Sequence, residues 1–257
     1  MPLSNIHFNP PFFYDDRFSS FGAAGWDVYW LIGQSNMVGR AATRASVDDN
    51  YTLISGRVFQ FGYNSQSIVA ATNPLDHADE NNGQMGLWLE FVKAQLRKTP
   101  SNRNILLVPA AQGGTSFAGN HWNPGDAAYN AALARLSAAM GQGSGQNRLV
   151  GALWLQGETD ANLGETSANA YAAKIQSMYG AMVGNAVGMT ASTPFIVGTI
   201  KPDKTYAPIV NGALANFASS NGPVEIVDLS DLAWFDSDHY DAASLAAAGQ
   251  RYAGKFK

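Results

Sequence analysis

The sequence predicts an α/β fold: a three-layer α/β/α sandwich around a central, mainly parallel, five-stranded sheet. Three observations predict it. Five short apolar runs, at 28–32, 105–109, 149–155, 195–200 and 224–229, are rich in β-branched or aromatic residues. These runs are continuous rather than alternating, as in strands covered on both faces. Helical patterns fall between them, which calls for right-handed crossovers and helices on both sides of the sheet.

Taken in order, Val28-Tyr29-Trp30-Leu31-Ile32 is the first strand. Residues 41–84 are polar and weakly patterned, with one short strand signal at 58–61, and are expected to form a long excursion beside the site. In 86–98, Leu89, Val92 and Leu96 recur at helical spacing before the strand at 105–109. In 126–140 the shared face is Tyr129, Ala132, Leu133, Leu136 and Met140. The Gly-rich link 141–146 then joins that helix to the strand at 149–155. In 166–183 the face is Tyr171, Ile175, Met178, Tyr179 and Met182. After the last two strands comes a final helix with Leu245, Ala248, Tyr252 and Phe256 on one side and Asp241 placed as its N-cap. No internal repeat or long linker divides the chain. The expected organisation is one domain over 27–257, preceded by an irregular aromatic arm at 1–26. That arm, with Pro10, Pro11, Phe12, Phe13, Tyr14, Phe18 and Phe21, either packs on the body or attaches it to a larger assembly.

Bulk composition removes several classes of function. Of 257 residues, 46% are hydrophobic and 14% charged, so the chain can bury a core. The net charge of −4 comes without a basic stripe, which argues against a nucleic-acid partner. No apolar stretch reaches the roughly 18 residues of a membrane helix. Cysteine is absent, which excludes disulfides, thiolate metal sites and a cysteine nucleophile. Residues 1–21 lack the basic and apolar regions of a signal peptide, so the expected location is cytoplasmic or within a phage or extracellular assembly.

Four segments carry chemistry. Gly33-Gln34-Ser35-Asn36-Met37 follows the first strand, where open α/β sheets place reacting groups. Met37 departs from the Gly-x-Ser-x-Gly elbow. Gly113-Gly114-Thr115-Ser116 follows the second strong strand, and paired glycines let backbone N–H groups approach an oxyanion. Gln156-Gly157-Glu158-Thr159-Asp160 ends the third. Asp236 precedes His239 by three residues, a spacing that lets a carboxylate hold Nδ1 and leaves Nε2 as base. Each segment also has an ordinary reading as a cap, turn or solvated loop. The acids Asp228, Asp231, Asp236, Asp238 and Asp241 crowd one region without regular metal-ligand spacing, so no metal and no cofactor is expected.

In this order the four motifs resemble the SGNH hydrolase superfamily, in the branch similar to sialic-acid acetylesterases and acetylxylan esterases (carbohydrate esterase family six). The similarity spans roughly 27–257. It implies a flavodoxin-like SGNH fold and a serine esterase acting on O-acetyl esters of carbohydrates, acetylated polysaccharide or sialic acid. It implies Ser35 as nucleophile, His239 as base and Asp236 as its orienting acid. It implies an oxyanion hole from the Ser35 and Gly114 N–H groups and the Gln156 side chain. Asp238 stands where an apolar residue is more usual, so both aspartates are candidates to hold the imidazole. Glu158 is expected behind the site, tied to a basic partner such as Arg40. Asn120, His121 and Trp122, with Trp234 and Phe235, are expected either to wall a sugar site or to pack in the core. An esterase or thioesterase with a non-sugar substrate uses the same parts. The reading from a different class is a carbohydrate-binding or structural module on the same fold.

Overall fold

The computed structural model describes residues 25–43, 56–79, 84–143 and 146–257. The arm expected at 1–26 lies almost entirely outside them. The strands are β1 (Trp26–Gly33), β2 (Ala41–Thr43), β3 (Val58–Phe61), β4 (Ile68–Ala70), β5 (Gln84–Met85), β6 (Asn104–Pro109), β7 (Arg148–Leu155), β8 (Phe195–Gly198) and β9 (Val224–Val227). The helices are α1 (Ser35–Val38), α2 (Trp88–Leu96), α3 (Ala127–Met140), α4 (Glu158–Asn162), α5 (Glu165–Asn185), α6 (Ala207–Ser220) and α7 (Ala242–Lys255).

The main sheet has seven strands in the order β4-β3-β6-β1-β7-β8-β9, and β2 pairs only with β5. All neighbours in the main sheet are parallel except β3 and β4. The five expected strands form the unbroken block from β6 to β9. The count of five is corrected to seven, because the excursion after β1 adds β3 and the hairpin partner β4 at one edge. An edge strand has little to bury: β4 is only three residues long, Ile68-Val69-Ala70, with Val69 exposed, too short an apolar run to stand out from the polar excursion around it.

β1 sits in the middle and sends alternate side chains to opposite faces. Val28, Trp30 and Ile32 join the core under α3, α5 and α6. Tyr29 and Leu31 join the core under α2 and α7. Both clusters consist of buried side chains, and burial of each large one contributes about 1.5–3 kcal/mol. Helix α6 is an addition to the expected set. Its buried face is Val210, Ala213, Leu214 and Phe217, and the small residues between them dilute the helical period. The final helix starts as expected, with the Asp241 carboxylate accepting from the Ser244 N–H at 2.8 Å.

From β1 the chain passes first to β3 and β6 on one side, then to β7, β8 and β9 on the other. Such a reversal opens a crevice beyond the carboxyl ends of the central strands. The loops after β1, β6 and β7 meet there.

Candidate active site

Ser35 is positioned by the end of β1. Gly33 has φ +133°, and a Cβ there would lie 2.1 Å from the Leu155 carbonyl oxygen, so only glycine lets β1 close this tightly on β7. The Gln34 N–H donates to that same oxygen at 2.9 Å. The chain then turns at once into α1, which lifts Ser35 to the floor of a cavity of about 750 Å³. Ser35, His239, Asp236, Gly114, Glu158 and Phe235 all line it. No hydrogen bond to the Ser35 hydroxyl is formed among the described residues.

His239 reaches the cavity on the loop ahead of α7. Its Nδ1 lies 2.8 Å from Asp236 Oδ2. Asp236 Oδ1 accepts from the backbone N–H groups of Asp238 (2.7 Å) and His239 (2.8 Å). Burial alone would raise the Asp236 pKa, but these hydrogen bonds outweigh it and hold the carboxyl below its ordinary range. Asp238 is engaged elsewhere: its Oδ1 accepts from Lys204 Nζ at 2.5 Å and Asn162 Nδ2 at 3.1 Å. Lys204 above all pushes its pKa far down. The neighbouring acids also have partners of their own. Asp231 pairs with Arg251, Asp228 accepts from the Ser230 N–H, and Asp241 caps α7. Among the described residues no three His, Cys, Asp or Glu side chains are grouped as metal ligands.

The loop after β6 supplies backbone donors. Gly114 has φ +69° and lines the cavity, with open space where a Cβ would stand. The preceding N–H, of Gly113, is taken by Asp79. Asp160, fully buried, ties this loop to the one after β7. Its carboxylate accepts from the N–H groups of Phe117 and Ala118 (both 3.0 Å) and from the Ser167 hydroxyl (2.9 Å).

Two expectations are corrected by these contacts, and the alternatives left open for the aromatic residues are told apart. Gln156 does not line the cavity. It is fully buried, and its Nε2 donates to Asp160 Oδ2 (2.8 Å), Thr115 O (3.1 Å) and Gln34 Oε1 (3.2 Å). Its donor is spent on bracing the two loops. Arg40 does not meet Glu158: Arg40 Nη2 lies 3.2 Å from Asp79 Oδ2, while Glu158 Oε1 accepts from Asn36 Nδ2 at 2.6 Å. The second Glu158 oxygen has no partner among the described residues. Burial pushes the Glu158 pKa up, against the Asn36 hydrogen bond and the nearby charge of His239. Of the aromatic wall, only Phe235 lines the cavity. Trp122 is in the core with Nε1 donating to Thr115 Oγ1 (2.8 Å), and Trp234 stacks on Tyr240 at 3.8 Å. The N–H of His121 is turned to Ser116 O (3.1 Å), and neither it nor Asn120 lines the cavity.

A serine at a strand end, an imidazole held by a carboxylate and a glycine-bearing loop that can offer backbone N–H groups, all in one cavity, are the parts of acyl-transfer chemistry. Residues 25–257 match the family model described as carbohydrate esterase, sialic acid-specific acetylesterase. The chain belongs to this family. It is accordingly a carbohydrate acetylesterase, and its fold is similar to that of several solved structures. A protein from Arabidopsis thaliana superposes with TM-score 0.78 at 21% identity, covering 90% of this chain and 97% of the other. NanS superposes with TM-score 0.72 at 17% identity, covering 90% and 96%. A carbohydrate acetylesterase from Xanthomonas citri gives TM-score 0.56 at 15% identity, covering 89% of this chain and 55% of the other. No curated protein matches the sequence. Among the described residues of this acetylesterase, no helix is long and apolar enough to cross a membrane.

Proposed function

We propose that this acetylesterase removes acetyl groups from sugar hydroxyls through an acetyl-serine intermediate, within a single catalytic unit at 27–257. His239 Nε2 takes the proton of Ser35 Oγ as the oxygen attacks the acetyl carbonyl carbon. Asp236 keeps Nδ1 protonated and stabilises the imidazolium that forms. The oxyanion accepts from the Ser35 and Gly114 N–H groups, neither of which has an acceptor among the described residues. Collapse breaks the bond to the sugar oxygen, which leaves with the proton from His239. Water then attacks acetyl-Ser35, giving its proton to His239, and acetate departs as the proton returns to Ser35.

The reading rests on one observation: Ser35 and the Asp236–His239 pair line the same cavity although 204 positions separate Ser35 from His239. A sugar substrate is supported by the family description, by the open cavity and by Phe235, 55% exposed at its edge. The substrate class is an O-acetylated carbohydrate, either sialic acid or a polysaccharide. The test measures acetate released from acetylated xylan and from O-acetyl sialic acid, with 4-nitrophenyl acetate as a general ester. A fluorophosphonate should label Ser35, and Ser35→Ala and His239→Ala should lose turnover by several orders of magnitude. Sugar affinity without turnover in the wild type would make the chain a binding module, and full activity of either variant would refute the mechanism.

A further inference from the structure

The side chain of Gln34 is fixed end for end. Its Oε1 accepts from the backbone N–H of Gly157 (3.4 Å) and of Thr159 (3.3 Å), groups that can only donate. The third donor is Gln156 Nε2 at 3.2 Å. The Gln156 amide is oriented just as firmly, since its Nε2 faces the Thr115 carbonyl and the Asp160 carboxylate, which here only accept. The oxygen of Gln34 therefore points into the protein. Its Nε2 is left with no acceptor among the described residues, on a side chain that is 3% exposed and lines the cavity. A nearly dry amide N–H₂ facing a cavity without a partner is arranged for an oxygen that arrives with a ligand.

Its position says which oxygen. Gln34 directly precedes Ser35, and its amide is linked through Gln156 Nε2 to the carbonyl of Thr115, the residue after Gly114. The amide thus lies against the same two loops that carry the Ser35 and Gly114 N–H groups. We propose that Gln34 Nε2 is the side-chain donor to the scissile carbonyl oxygen, and that Gln156 is a positioning residue that orients Gln34 from behind. This deepens the acyl-serine reading and rests on it. When Ser35 Oγ bonds to the carbonyl carbon, the C=O π pair moves to oxygen, and the Gln34 N–H meets the charge as it develops.

Steady-state kinetics with 4-nitrophenyl acetate test the proposal. Gln34→Ala should lower kcat by about 100-fold or more with little change in KM, the pattern of a lost oxyanion donor. Gln34→Glu keeps an oxygen for the Gly157 and Thr159 N–H groups but removes the donor, and should lose as much. A measurement on the wild type avoids any folding defect. A small alkyl boronic acid, which forms a tetrahedral adduct on Ser35, should shift a Gln34 side-chain amide proton downfield in the NMR spectrum. An active wild type whose Gln34 amide is unmoved by the boronate, or a folded Gln34→Glu with undiminished kcat, overturns the proposal and leaves the esterase standing. A wild type that hydrolyses no acetate ester overturns both.

Discussion

Asn36 and Tyr240, 204 positions apart, are joined by a hydrogen bond from the Tyr240 N–H to Asn36 Oδ1 at 3.1 Å. The same side chain donates from Nδ2 to the carbonyl of Asp238 at 3.0 Å. The residue beside the proposed nucleophile thus grips the backbone on both flanks of His239. Its Nδ2 also donates to Glu158 at 2.6 Å, so one fully buried amide joins the loops after β1 and β7 to the loop before α7.

Asn36→Ala should therefore damage catalysis and stability together. It leaves the Tyr240 N–H buried without an acceptor, at a cost of about 1–3 kcal/mol. It also frees His239 to drift from Ser35, and a misplacement near 1 Å can cost about 100-fold in rate. Thermal unfolding and kcat on 4-nitrophenyl acetate check this. A wild-type kcat in the variant would mean that His239 is held by other contacts.

The two aspartates before His239 should separate cleanly. Asp236→Asn removes the carboxylate 2.8 Å from Nδ1 and should lower kcat by about 1,000-fold or more. Asp238→Asn chiefly weakens the ion pair with Lys204, so its loss should be far smaller. The kcat values of the two variants decide the matter, and the reverse ranking would assign the imidazole to Asp238.

The parts of this molecule that were legible in sequence are those whose signals are local. β1 and β6, and β7 from Gly151 onward, are buried on both faces, so their apolar runs are unbroken. Asp236 and His239 are three residues apart and meet within one turn of chain. Gln34 and Asn36 stand in the same short motif as Ser35, but their work depends on partners more than 120 positions away. Nothing in their neighbours hints at that. Gln156 is a different case. Asp160, four residues on, takes its amide, and that spacing is visible in the sequence as a competitor for the donor. Trp122, among Gly and Asn, reads equally as a sugar-site wall or as core, and only its contacts with Thr115 and Trp154, far off in sequence for the latter, decide for the core.

Two buried groups should tilt stability with pH in opposite senses. Burial drives His77 from its ordinary pKa of 6.5 to about 3, and its Nδ1 accepts the Ala111 N–H at 3.1 Å. The fold requires the neutral ring, so its contribution is complete above pH 6.5 and is lost as pH falls toward 3. The full swing is on the order of 5 kcal/mol. Glu158 has its pKa raised by burial, so its contribution is complete below its ordinary 4.5 and falls as pH rises through the higher native value. Denaturant unfolding across pH should give a shallower acid slope for His77→Gln and a smaller loss toward neutral pH for Glu158→Gln. Slopes identical to wild type would mean that neither group differs between the folded and unfolded chains.

Phe235 is the side chain expected to divide sugar esters from simple ones. It is 55% exposed, lines the cavity, and is held beside the imidazole by its N–H, which donates to the His239 carbonyl at 2.8 Å. A pyranose ring offers a face of C–H groups that an aromatic ring covers well, whereas the proposed mechanism puts the acetyl group deeper, at Ser35. Covering part of that face is worth about 1.4 kcal/mol, or roughly tenfold in affinity. Phe235→Ala should therefore raise KM for acetylated carbohydrate about tenfold, with kcat retained, while KM for 4-nitrophenyl acetate moves little. Because the ring forms no part of the core, the thermal midpoint should stay near that of the wild type. An equal rise in KM for both esters would mean that Phe235 shapes the acetyl pocket, and no rise for either would remove it from the substrate site.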